Sequence, residues 1–78
     1  MGDYAFKNCK LLKMVIITNS VKTIGDYTFY YCTNLKEIKY LGTKKQAVQL
    51  GIGNKSRKRW REGSAISKII CTDGVIEL

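Results

Sequence analysis

Seventy-eight residues set one domain at most, and a hydrophobic content of 45% belongs to folded chains and not to disordered tails. The formal net charge is +8: six Lys against three acids in residues 1–41, and eight Lys or Arg against three acids in residues 42–78. Such a surface attracts acidic proteins, anionic lipid and nucleic acid alike. Three Cys and no His leave no set of four Cys/His zinc ligands and no Ser–His or Cys–His couple.

No apolar run approaches the ~18 residues that a membrane helix needs. The longest candidate, Met14–Ile17, is strand-sized. Met1–Tyr4 carries no basic start with an apolar stretch behind it, so no signal peptide is read here.

The chain repeats itself. Gly2-Asp-Tyr-Ala-Phe6 recurs as Gly25-Asp-Tyr-Thr-Phe29, and seven of the twelve positions from 2 to 13 are identical to those 23 residues later. In each unit Gly permits a tight turn, and Asp3 or Asp26 can accept hydrogen bonds from the next backbone N–H groups. Residues 27–32 then predict a short helical or 3₁₀ turn with Phe29 and Cys32 on one side. Leu35, Ile38 and Tyr40 follow, the last two in period-2 alternation, which predicts a short strand. Phe6, Cys9, Leu12, Val15 and Ile17 give the same layout in the first unit.

Stacked coils place equivalent residues about one strand spacing (~4.8 Å) apart. The expected core is therefore a set of ladders: Phe6 on Phe29, Cys9 on Cys32, Leu12 on Leu35 and Val15 on Ile38. Cys9 and Cys32 are read as small apolar ladder members and not as a redox or metal pair. Asp3 and Asp26 recur by repeat symmetry, which active-site residues do not, so they are read as turn residues.

The line Ile24-Gly25-x-x-x-Phe29-x-x-Cys32-x-x-Leu35-x-x-Ile38-x-Tyr40 resembles the BspA-type leucine-rich repeat of bacterial surface-associated proteins. Ala5 keeps the Ala of that pattern, Thr28 departs from it, and Thr18 stands where a Pro is usual. The resemblance extends, more weakly, to Ile38-Lys-Tyr-Leu-Gly-Thr43 and to a last hairpin around Cys71-Thr-Asp-Gly74. It implies an α+β leucine-rich-repeat solenoid with short parallel strands, ending in a helix and a β-hairpin. It also implies adhesion or protein interaction, and a cell-surface or extracellular location.

The chain thus divides into two repeats, 1–41, and a C-terminal capping segment, 42–78, within one continuous domain. After Thr43 the 23-residue register is lost. Thr43 can N-cap a helix over Lys44–Leu50 with Gly51 at its end, and Gly51–Asn54 reads as a loop. Ile66–Cys71 and Val75–Leu78 read as strands joined through Thr72-Asp-Gly, since Asp-Gly marks hairpin turns. Val48, Leu50, Ile52, Trp60, Ile66, Ile69 and Val75 are available to cover the last coil.

Lys55-Ser-Arg-Lys-Arg-Trp-Arg61 is the most basic stretch. It reads as a solvated face with Trp60 turned inward. The competing reading is an anion-binding patch of Lys55, Arg57, Lys58, Arg59 and Arg61, able to clamp phosphates. Nucleic-acid modules tend to interleave several aromatics, and this stretch has one. Asn54-Lys-Ser56 matches a glycosylation sequon, a short motif of little weight.

Three functions compete. The first is a non-enzymatic scaffold binding a protein partner on the strand positions that face out of the sheet: Met14, Ile16 and Thr18 in one coil, Glu37, Lys39 and Leu41 in the next. The second is polyanion or nucleic-acid binding through residues 55–61, and the third a purely structural end to an array. None requires a cofactor. The first coil's Phe6, Leu12, Val15 and Ile17 have no preceding coil in this sequence, so Met1 is expected to mark a cut in a longer chain, with an edge that self-associates or remains loose.

Overall fold

The computed structural model describes residues 1–78. Alternation of apolar and polar residues produces β1 (Met14–Thr18) and β2 (Glu37–Leu41), which pair in parallel with Val15 beside Ile38 and Ile17 beside Tyr40. A short helix α1 (Lys44–Leu50), a 3₁₀ turn (Arg59–Arg61), β3 (Lys68–Cys71) and β4 (Gly74–Glu77) follow. The sheet order is β1-β2-β3-β4, with β3 parallel to β2 and β4 antiparallel to β3. This single mixed sheet runs through both segments of the chain.

Helix α1 has the boundaries that its caps dictate. The Thr43 hydroxyl accepts from Gln46 N–H while the Gln46 side chain accepts from Thr43 N–H, a complete capping box. Gly51 ends the helix at φ 104°, a conformation that favours glycine.

The stretch at 27–32 is not helical. Tyr4 and Tyr27, then Asn8 and Tyr31, sit in the left-handed region at φ 56–60°, at the same places in each unit. This turns alternate N–H groups out of the coil toward the next one. Tyr4, Phe6 and Asn8 donate to the carbonyls of Asp26, Thr28 and Tyr30; Tyr27, Phe29 and Tyr31 donate to those of Arg59, Trp60 and Glu62. A helix would use these donors internally. Asp3 likewise acts between coils, its Oδ1 accepting from Asp26 N–H at 2.9 Å. The buried Thr28 hydroxyl is satisfied by the Gly25 carbonyl at 2.6 Å, so a polar residue is tolerated in the core there.

The 23-residue register does end after Thr43, but a structural repeat resumes with a longer spacing. Glu37, Ile38 and Lys39 pair with Lys68, Ile69 and Ile70, a constant shift of 31 residues. The same shift relates Phe29 to Trp60, Leu35 to Ile66 and Tyr40 to Cys71, all buried. Phe6 stacks on Phe29 at 5.4 Å between ring centroids, and Trp60 meets Phe29 edge-on at 6.0 Å. Helix α1 and the loop after it are thus an insertion within a third coil. The third coil and its insertion contribute Ala47, Ile52, Trp60, Ile66, Ile69 and Cys71 to the 13-residue core.

Of the residues expected to cover the last coil, Leu50 is only partly buried against this core, and two are largely exposed. Val48 and Val75 are 51% and 45% exposed. The hairpin closes through a two-residue turn, Thr72-Asp73, with Cys71 opposite Gly74. Gly74 is therefore the first residue of β4, which puts Ile76 beside Ile69 on the inner side and Val75 beside Ile70 on the outer side. In the first coil Phe6, Cys9, Leu12 and Val15 are only partly buried, because coil two covers them from one side alone.

Candidate functional site

The pairing register fixes what each face of the sheet presents, because side chains alternate along every strand. The inner face carries Val15, Ile38, Ile69 and Ile76 in one row. The outer face carries Met14, Glu37, Lys68 and Glu77 in a second row, and Ile16, Lys39, Ile70 and Val75 in a third. Thr18 and Leu41 form the next, shorter row.

Nothing in the fold covers this outer face. Ile16 is 58% exposed, and Met14 and Leu41 are more than two-fifths exposed, as is Val75. Glu37 is half-buried and forms an ion pair with Lys68 at 3.5 Å. Lys39 is exposed and has no carboxylate within 4.0 Å. The row Ile16, Lys39, Ile70, Val75 is thus apolar but for one cation without an ion-pair partner, and the row beside it is mainly charged. Sequence patterning reaches the β1 and β2 residues of this strip but omits Ile70 and Val75. The signal for them was present: Trp60, Ile66, Ile69 and Cys71 repeat the spacing of Phe29, Leu35, Ile38 and Tyr40.

The five basic residues of 55–61 sit in different settings. The Arg57 guanidinium donates to the carbonyls of Ile24 and Leu50, tying the inserted loop to the second coil. Arg61 is half-buried with its Nε out of solvent. Lys55, Lys58 and Arg59 remain exposed, and Arg59 lies 3.9 Å from the Asp26 carboxylate. Trp60 is fully buried.

Sequence reasoning missed a tyrosine cluster on the turn side of the coils. Tyr4 stacks on Tyr27 at 5.3 Å, Tyr30 stands edge-on to both, and Tyr30 and Tyr31 lie 4.3 Å apart. Lys7 sits over the Tyr4 ring. A hydrogen bond with Tyr31, and then that neighbour's charge, hold Tyr30 above the ordinary phenol value. The repeated Gly-Asp-Tyr was the available signal, but only the 23-residue stacking brings the rings together.

All three cysteines are free thiols. Burial pushes the Cys32 and Cys71 thiols up from their ordinary value. Cys32 Sγ donates to the Phe6 carbonyl at 3.0 Å, which is a ladder contact and not an exposed nucleophile. No group of three or more Cys, Asp or Glu converges in the way a metal ion needs, and no helix is long and apolar enough to cross a membrane.

Parallel strands from sequence-equivalent units, joined by hydrogen-bonded turns stacked coil on coil, define a repeat protein whose distinctive surface is the outer face of its sheet. Residues 1–49 match the BspA type leucine rich repeat region (6 copies), and the chain belongs to that family. No curated protein and no solved structure matches the chain.

Proposed function

We propose that this chain is a non-enzymatic leucine-rich-repeat scaffold that binds a protein partner on the outer face of its sheet. The observation that carries the reading is the row of Ile16, Lys39, Ile70 and Val75, exposed except for the half-buried Ile70 and bordered by Met14 and Leu41. Exposed apolar residues grouped on one rigid face are the usual mark of an interaction site. Family membership supports a scaffold role, and adhesion at a bacterial cell surface is the setting we propose for it. Residues 42–78 serve as the closing segment of the solenoid: their third coil lays Trp60, Ile66 and Ile69 over the second, and the β3–β4 hairpin borders that side of the sheet.

The test is a differential pull-down on surface proteins of a host or neighbouring cell. Ile16→Asp and Lys39→Glu should abolish capture, while Lys58→Glu and Arg59→Glu should leave it intact. The reverse pattern overturns the reading.

The second reading is polyanion binding on the turn side, favoured by the Tyr4–Tyr27–Tyr30–Tyr31 cluster one coil away from Arg59. A titration with short single-stranded DNA at two salt concentrations decides it. Phosphate-driven binding must weaken steeply as salt rises, and affinity weaker than millimolar ends the idea.

A further inference from the structure

The outer face of the sheet has a more specific form than a generic sticky surface. Of its two four-residue rows, one reads Ile16, Lys39, Ile70, Val75, one residue from each of the four strands. In the neighbouring row Glu37 holds Lys68 at 3.5 Å, and Glu77 at the far end forms no ion pair. Lys39 forms no ion pair within 4.0 Å. The Lys39 ammonium has Ile16 and Ile70 beside it across the strands, and Leu41 and the Lys68-bound Glu37 along its own strand. It loses hydration when a partner covers it, and an unpaired buried charge is costly. A partner that covers the strip must therefore bring an acidic group to Lys39 and apolar groups to either side.

The spacing selects the partner's backbone. Neighbouring strands stand ~4.8 Å apart, so the row offers contact points at that interval. A helix laid across the strands presents residues i, i+4, i+7 and i+11 on one side about every 5.4 Å, a mismatch of about 0.6 Å per step. An extended chain presents same-side residues about every 6.7 Å, a mismatch of about 2 Å per step, and loses register by the third contact.

Resting on the scaffold reading above, we infer that the row Ile16–Lys39–Ile70–Val75 docks an amphipathic helix whose contact face reads apolar, acidic, apolar, apolar. Ile16 meets the first apolar residue, Lys39 pairs with the carboxylate, and Ile70 and Val75 take the last two. Helix-in-groove recognition elsewhere uses anchors at this i, i+4, i+7 periodicity.

The test is a selection of displayed random peptides, each about four helical turns long, against the intact chain. Enriched sequences should carry Asp or Glu followed by apolar residues three and seven positions later, with another apolar residue four positions before. Lys39→Glu should weaken the selected peptides by at least about tenfold and Ile16→Asp by as much. A parallel selection on Lys39→Glu should enrich a basic residue at the central position. Peptides that bind this face with apolar residues at alternate positions, or without an acid, overturn the helix inference and leave the scaffold reading standing. Peptides whose binding ignores Ile16→Asp and Lys39→Glu, or no enrichment at all, overturn both.

Discussion

Trp60 meets Phe29 edge-on, with ring centroids 6.0 Å apart and planes at 80°, and so occupies in the third coil the place that Phe29 holds over Phe6. One aromatic ladder thus spans all three coils. Its last member is the largest fully buried side chain in the chain.

Removing that member should be the most damaging single change. Trp60→Ala is expected to cost about 3–5 kcal/mol, read as a fall in the urea midpoint at constant slope. Trp60→Phe should cost far less. It restores the ring type of the other two coils and removes the indole N–H, which is buried without an acceptor.

The two repeat glycines provide an internal control. A Cβ on Gly25 would lie 2.6 Å from the backbone nitrogen of Asp3 and 2.8 Å from the carbonyl carbon of Gly2, so the coils would have to move apart. A Cβ on Gly2 meets nothing within 4 Å. Gly25→Ala is expected to lose about 1–3 kcal/mol and Gly2→Ala no more than about 0.5 kcal/mol, by the same unfolding measurement.

The basic run should divide in the same way. Arg57→Ala removes charged donors from the Ile24 and Leu50 carbonyls and is expected to destabilise by about 1.5–3 kcal/mol. Lys58→Ala, on an exposed side chain, should stay within about 0.5 kcal/mol. Equal effects would contradict the division of this segment into anchoring and solvated residues.

The thiols set a pH dependence. Burial raises the folded-state values of Cys32 and Cys71, so the unfolded chain releases those protons first as pH rises. Their contribution leaves stability unchanged below the ordinary thiol value of about 8.5 and lowers it as pH climbs through the folded values. Urea midpoints between pH 8 and 10 should fall for the native chain, and less steeply for Cys32→Ala after allowance for its lower stability. Native-state alkylation of both residues should lag behind that of a free thiol at pH 8.

Much of this was legible in the sequence because it depends on local rules. Thr43, Gln46 and Gly51 define α1 through their own caps, and period-2 alternation assigns Met14, Ile16, Lys39 and Leu41 to one side of their strands. What depends on stacking was not legible. The left-handed Tyr27 and Tyr31 follow from N–H groups drawn to the carbonyls of Arg59 and Glu62, residues more than 30 positions away. The third coil was hidden by its inserted helix and by Trp, Ile and Cys standing where Phe, Leu and Tyr stand in the second. For the same reason Ile70 and Val75 fall outside the candidate face in sequence, and the basic run reads as continuous although Arg57 turns onto backbone carbonyls.

The most direct test of the central claim is a chemical-shift map of the intact chain titrated with a peptide selected against it. Perturbations should concentrate at Ile16, Lys39, Ile70 and Val75, with Met14 and Leu41 at the margin. Perturbations centred instead on Lys58, Arg59 and Tyr31 would contradict the assignment of binding to the outer face of the sheet.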